Sequence, residues 1–285
     1  MLLGAGGMLG RDLAASAPPD AAIAPFTHGE LDLLDEDALV RALEEVRPDV
    51  VLNAAAYTAV DRAESERERA LAVNGAAPGT LGRHAAAHGA RVVHFSTDYV
   101  FDGEGAAPWP EDAPLRPINY YGETKLEGER RLLASGADAL ILRTQWLFGE
   151  HGRSFPRTMW ARARRGEATR VVADQIGKPT ATADLAGATW RLLARGARGV
   201  LHVANAGTAT WYDVAAAVFA RAGQAALLAA CATADFPTPA RRPRWSVLDT
   251  TRAERLLGAP LPHWRTALDR FLDHLATLDG SSRKA

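Results

Sequence analysis

Short apolar runs alternate with stretches of helical period through the first half of the chain, and turn residues separate them. Met1, Leu2 and Leu3 form the first run and stop at Gly4, where a buried strand normally has about five or six residues. Either this strand is clipped or the natural start lies upstream. Met8, Leu9, Leu13 and Ala14 follow at helical spacing. Residues 21–26 are a second apolar run, ending in Phe26, Thr27, His28 and Gly29. Asp35 is placed to cap a helix over 36–46. Residues 49–53 predict a third strand, which gives way to Ala54, Ala55 and Ala56. A helix is expected over 65–88, with Pro78 and Gly79 interrupting its middle. Residues 90–95 predict a fourth strand that delivers Ser96, Thr97, Asp98 and Tyr99 to the same edge, and 139–143 predict a fifth. Strands alternating with helices specify an α/β fold, a Rossmann-like doubly wound parallel sheet.

From about Gln145 the texture changes, with Trp146, Phe155, Trp160 and runs of arginine. A short strand and turn over 171–180, a helix over 184–194 and a buried strand over 200–204 are expected. A helix then runs from Thr210 through Ala222, a last helix covers 264–278, and the tail 280–285 is expected to fray. This organisation implies a dinucleotide-binding domain over 1–145 with returning segments near 181–205. A smaller, interleaved substrate-binding region takes 146–180 and 206–285.

Composition narrows the function classes. The 285 residues are 47% hydrophobic and 24% charged, with a net charge of -1. That describes a globular chain able to bury a core. The near-neutral balance argues against a nucleic-acid binder held by phosphate contacts. One cysteine, Cys231, excludes an intrachain disulfide, and the scattered histidines lack metal-ligand spacing, so no metal is expected. No apolar run is long enough to span a membrane, and a reduced, cytoplasmic setting fits.

Two patterns carry chemistry. Gly4, Gly7 and Gly10 form G-x-x-G-x-x-G between the first strand and the first helix, where a pyrophosphate can approach the backbone. The second strand ends with no acid and no arginine; the missing acid mildly favours NADP(H), with NAD(H) possible. Asp32 and Leu33 are placed either to line an adenine pocket or to form a turn. The second pattern is Tyr121 and Lys125, four apart on a helix led by Asn119, and so on one face. A nearby ammonium lowers a tyrosine pKa and makes the phenol a general acid or base.

Taken together, these stretches resemble the extended short-chain dehydrogenase/reductases. Residues 53–64, 143–146, 174–180, 210–213 and 237–243 narrow the resemblance to the dTDP-4-dehydrorhamnose reductase family. The resemblance implies NAD(P)H-dependent reduction of the C4 ketone of dTDP-4-dehydro-L-rhamnose. Tyr121 would then protonate the C4 oxygen. Lys125 would bind the nicotinamide ribose and lower the tyrosine pKa, and Thr97 would hold the sugar oxygen. Gly7, Met8 and Leu9 would contact the pyrophosphate, Asp32 and Leu33 would flank the adenine, and Ala54, Ala55, Ala56, Tyr57 and Thr58 would lie along the ribose and nicotinamide. Thr97, Asp98 and Trp146 would touch the sugar, and Arg241 or Arg242 would hold the dTDP phosphates. A monomer or homodimer is expected. Two other readings remain: a reductase of another nucleotide-linked 4-keto-6-deoxyhexose, and a non-catalytic cofactor-binding subunit like that of methionine adenosyltransferase, which would need a damaged catalytic set.

Overall fold

The structure is a computed structural model and describes residues 1–282. In chain order the first half contains β1 (Leu2–Leu3), α1 (Met8–Ala15), β2 (Pro25–Phe26), α2 (Glu36–Val46), β3 (Val50–Asn53), α3 (Val60–Ala63), α4 (Arg67–Leu71), α5 (Ala77–His88), β4 (Arg91–Thr97), α6 (Tyr120–Ala134) and β5 (Asp138–Thr144). Then come β6 (Leu147–Phe148), α7 (Phe155–Arg164), β7 (Thr169–Val172), β8 (Ile176–Gly177), β9 (Thr180–Ala181), α8 (Thr182–Ala194) and β10 (Gly199–His202). The chain closes with β11 (Ala209–Thr210), α9 (Trp211–Arg221), β12 (Leu228–Cys231), α10 (Thr251–Leu257) and α11 (Trp264–Ser282).

Six parallel strands form one sheet in the order β10-β5-β4-β3-β1-β2. Adjacent strand residues face opposite sides of a sheet, and here both sides are covered. Leu2, Leu52, Val93, Leu140 and Leu142 pack with Leu9 and Leu13 of α1 and Leu185 and Leu192 of α8. Their neighbours Leu3, Val51, Val92 and Ile141 pack with Leu39 and Leu43 of α2, Leu81 of α5 and Leu132 of α6. A further cluster joins α7, α9 and α11 through Trp160, Phe219, Trp264 and Phe271. The sheet order reverses beside β1, because β2 lies on one side and β3 on the other. Ligand crevices of open α/β sheets form at such a point, beyond the carboxyl ends of the strands.

The short first strand is well bonded. Leu52 N–H donates to Met1 O at 2.9 Å, Ala54 N–H to Leu3 O at 3.0 Å, and Leu2 N–H to Ala24 O at 2.8 Å. The helix over 36–46 forms as expected, and Asp35 accepts from Ala38 N–H at 2.8 Å. Other expectations are corrected. The run over 21–26 yields only the two residues of β2, because this edge strand pairs with β1 alone. The helix over 65–88 is instead α4, a π turn over Ala72–Ala76, and α5. Pro78 stands in the first turn of α5, where its missing N–H is harmless. The fourth strand runs on to Thr97, so Ser96 and Thr97 face opposite sides. The last helix continues through Ser282 instead of fraying at 280, and residues 283–285 lie outside the described residues.

Candidate active site

A cleft of about 520 Å³ opens beyond the ends of β1, β2 and β3. Gly4, Thr27, Asp32, Ala55, Tyr57 and Arg69 are among its walls. Gly4 adopts φ +75°, and a Cβ there would lie 2.7 Å from Ala55 N. A Cβ on Gly10 would strike Gly4 O. The turn therefore closes only with glycine at these two positions. It brings in the N-terminus of α1, where Gly7 supplies no side-chain cap and the first turn holds no acid, leaving N–H groups for an anion. Met8, Leu9 and Gly10 form that first turn, and Leu9 is sunk in the core, so its side chain faces away from the cleft. Ala54, Ala55, Ala56 and Tyr57 line the far wall with buried Leu33, whereas Thr58 is exposed outside it. Asp32 is half-exposed and accepts from Leu34 N–H at 3.0 Å.

One cleft residue and one buried behind its wall escaped the sequence reading. Arg69 reaches the cleft from α4 without a hydrogen bond or ion pair among the described residues, and supplies the arginine that the end of β2 lacks. Its i,i+4 spacing with Val73, which also lines the cleft, was the available signal. Asn74, buried in the π turn, clamps both backbone groups of Tyr57 at 2.9 and 3.0 Å and donates to Thr124 Oγ1 at 3.1 Å. It ties the cleft wall to α6. π turns within helices often sit at functional sites.

The proposed reacting groups meet where α6 begins. Asn119 caps α6, accepting from Gly122 N–H at 2.8 Å and donating to Arg241 O at 2.8 Å. A Cβ on Gly122 would strike Tyr99 O, so the first turn of α6 presses against the end of β4. Tyr121 thereby stands beside Tyr99, ring edge to face at 5.7 Å. Thr97 Oγ1 donates to Asp98 Oδ1 at 3.0 Å and accepts from Tyr99 N–H at 3.2 Å. Burial, then the Asp98 carboxyl, raise the Tyr121 pKa well above the ordinary phenol value, and hydrogen bonding with Thr97 pulls the other way. Tyr121 thus keeps its proton at neutral pH. Burial raises Asp98 to about 7, against the opposing pull of the nearby Ser246 hydroxyl and of the Thr97 hydrogen bond.

Lys125 lies on the same helical face but points inward. It is 1% exposed; its Nζ donates to Phe95 O at 2.6 Å and stands 3.2 Å from His94 Nε2. Burial lowers it to about 8, with Glu129 opposing. The Tyr121 pKa moves upward, with burial as the largest cause, and not in the direction expected from Lys125. Ser96 also turns away from the site and donates to Glu129. Glu129 in turn holds Arg143 through bonds of 2.9 and 2.7 Å.

Across the sheet edge, Trp146 takes φ +50°, a left-handed conformation costly for an aromatic residue. Its ring stacks on Trp211 at 3.7 Å, and a Cβ on Gly177 would lie 2.6 Å from it on another side. Asp98 Oδ2, Thr144 Oγ1, Gln145 Nε2 and Ser246 Oγ are buried here without hydrogen-bond partners among the described residues. Buried polar atoms are nearly always satisfied, so this cluster suits a polar ligand. Arg241 is exposed and its guanidinium has no hydrogen bond or ion pair among the described residues, while Arg242 is held by Asp61 at 2.8 Å. Among the described residues no group of three or more His, Cys, Asp or Glu is placed to hold a metal, and no helix is long and apolar enough to cross a membrane.

A family model described as "RmlD substrate binding domain" matches residues 1–277. A Streptomyces antibioticus protein named as a probable dTDP-4,6-dihydroxy-2-methyloxan-3-one 4-ketoreductase is 43% identical, over 100% of this chain and 98% of its own. A dTDP-4-dehydrorhamnose reductase from Burkholderia thailandensis is 40% identical over 94% and 96%. The crystal structure of dTDP-4-dehydrorhamnose reductase from Bacillus anthracis, in complex with NADP, superposes with a TM-score of 0.92 at 34% identity, covering 96% of this chain and 98% of the other. With a match that spans nearly every described residue, the chain belongs to the dTDP-4-dehydrorhamnose reductase family of the extended short-chain dehydrogenase/reductases.

Proposed function

We propose that this chain uses NADPH to reduce the C4 ketone of dTDP-4-dehydro-L-rhamnose, giving dTDP-L-rhamnose. The observation that carries the reading is Tyr121, held protonated beside Thr97 at the sheet edge next to the glycine-walled cleft. The cleft suits a dinucleotide: its glycine turn has no room for a Cβ at Gly4 or Gly10, its helix N-terminus is uncapped, and Arg69 on its wall is unpaired among the described residues. Bound there, the nicotinamide cofactor supplies the hydride. The B. anthracis relative was solved with NADP, and the end of β2 offers no acid to select a free 2'-hydroxyl, so NADPH is favoured over NADH.

The chain's own groups do the rest. Tyr121 gives its hydroxyl proton to the sugar oxygen as charge builds there, and Thr97 turns its single hydroxyl proton from Asp98 to donate a second hydrogen bond to that oxygen. Donors aimed at developing charge are worth most in a dry site. Asp98 and Trp146 position the sugar, and Arg241 holds the phosphates, which a guanidinium binds bidentately. Lys125 supports the ribose and the tyrosine. The cofactor sits on residues 1–145 with 181–205, and the sugar on 146–180 and 206–285. The enzyme works in the cytoplasm as a monomer or homodimer. The intact Thr97, Tyr121 and Lys125 set weighs against a non-catalytic subunit.

A second reading is favoured by the S. antibioticus relative, whose sugar, by its name, carries one ring hydroxyl fewer. Both readings share the dTDP group and the ketone. The test follows loss of reduced nicotinamide absorbance with each dTDP-linked ketone, using NADPH and NADH in parallel. Turnover favouring dTDP-4-dehydro-L-rhamnose supports the first reading, and turnover favouring the dideoxy sugar supports the second. Cofactor binding with neither sugar reduced would overturn both.

A further inference from the structure

Lys125 is buried beside His94 and Asn53, whose hydrogen bonds as arranged constrain what it can be. Ala55 N–H donates to Asn53 Oδ1 at 3.3 Å, which settles the orientation of that amide. Asn53 Nδ2 therefore faces His94 Nδ1, at 3.2 Å, as a donor. His94 is 1% exposed, and burial, then Lys125, hold its pKa well below the usual value, so the ring is neutral. A neutral imidazole has one donor and one acceptor nitrogen. With Nδ1 accepting from Asn53, Nε2 carries the proton and points it at Lys125 Nζ, 3.2 Å away. An ammonium has donors only and cannot accept that proton. A neutral amine can, through its lone pair, while still donating to Phe95 O.

We propose that Asn53 and His94 are positioning residues that set the charge of Lys125: this hydrogen-bond arrangement favours the amine, and the ammonium requires the opposite histidine tautomer. The two states differ by one proton, taken from water, and by a turn of the Asn53 amide. In the charged state Nδ1 carries the histidine proton and Nε2 accepts from Lys125. The groups around Lys125 are consistent with this arrangement. Glu129, one turn along α6, is already neutralised by Arg143 from β5 and bonded by Ser96 from β4. Tyr121, one turn back, keeps its proton. Among the described residues no bare anion stands beside Lys125, and its pKa is lowered to about 8. The inference rests on the reading of Tyr121 and Lys125 as the acting pair, and it adds that the help Lys125 gives Tyr121 is switched by a buried histidine.

The test uses cofactor-free protein and needs no turnover. ¹⁵N NMR of histidine-labelled protein reads the His94 tautomer, and ¹³C-labelled lysine reads Lys125. The expected result is the Nε2–H tautomer at high pH passing to Nδ1–H at low pH, with the midpoint of the lysine. His94→Gln, which can offer an oxygen to the ammonium, should raise the Lys125 titration by about one pH unit or more, a tenfold gain in proton affinity. The alkaline limb of kcat should move up by the same amount. An Nδ1–H tautomer at high pH overturns the proposal even if the variant fails to fold. So does a folded His94→Gln protein with an unmoved lysine. If the lysine moves but the kcat profile does not, the proton coupling stands and the assigned role of Lys125 in turnover falls.

Discussion

Replacing Arg143 with methionine should destabilise the protein far more than removing any exposed ion pair. The guanidinium and the Glu129 carboxylate are 3% and 2% exposed and meet through two near-parallel bonds of 2.9 and 2.7 Å. Arg143 also donates to Glu111 O at 3.1 Å. Without it the Glu129 carboxylate stays buried with only the Ser96 hydroxyl as donor. Breaking such a pair from one side costs about 3–5 kcal/mol, a large part of a typical stability of about 5–15 kcal/mol. With a urea slope near ~3 kcal/mol/M the unfolding midpoint would drop by about 1 M or more. Arg131→Met is the control: its pair with Glu127 is 45% and 34% exposed, and its loss should cost no more than about 1 kcal/mol. Adding Glu129→Met to Arg143→Met removes the stranded charge, so the double variant should recover part of the loss. Glu129 lies one helical turn beyond Lys125 and two beyond Tyr121, so kcat should fall in Arg143→Met as well. A cost below about 1 kcal/mol, or a double variant less stable than Arg143→Met alone, would refute the argument.

Further outcomes are expected. Tyr121→Phe should bind NADPH normally, read by fluorescence, and lose at least ~100-fold in kcat; unchanged turnover would remove it as the acid. Arg69→Ala should weaken NADPH roughly tenfold or more by calorimetry, the worth of a charge-assisted bond, with NADH little affected; equal losses would show that Arg69 does not read the 2'-phosphate. Stability should fall with acidification between about pH 6.5 and 4.5. His94 is held well below its usual pKa and His202 is lowered to about 3, by burial first and then by Lys125 and Arg143 respectively, so the unfolded chain binds protons that the folded chain refuses. Asp98, raised to about 7, works the other way, because the folded chain binds a proton that the unfolded carboxylate lacks. Two against one leaves a loss of about 1.4 kcal/mol per pH unit. His202→Gln should flatten that slope in urea titrations, and a slope unchanged would show that His202 does not titrate as described.

What the sequence disclosed follows the range of each interaction. Asp35 and the helix it caps form to the residue because a cap and its recipient N–H lie within one turn. Tyr121 and Lys125 share a face for the same local reason. The break over 72–76 stayed hidden because Asn74 answers to Tyr57 and Thr124, partners set by the fold. The second strand shortened because its one neighbour, β1, offers two residues to pair with. The spacing of Arg69 and Val73 marks a shared face, but that this face meets the cleft depends on how α4 lies. The inward turn of Lys125 depends on His94, a single polar residue in an otherwise apolar strand interior. A lone histidine among buried valines was the signal for it.

The position of β10 bears on how the protein is born. It pairs with β5 along four residues, yet it is translated only after β6, α7, β7, β8, β9 and α8. At about 5–20 residues per second, a ribosome leaves the open flank of β5 without its neighbour for several seconds. During that interval Leu140 and Leu142 also lack α8, which covers their side of the sheet. A nascent chain stalled there presents an apolar, unpaired border of the kind that chaperones bind. A gene fragment ending at β5 should therefore yield insoluble material, whereas one extended past His202 gains its missing strand and cover.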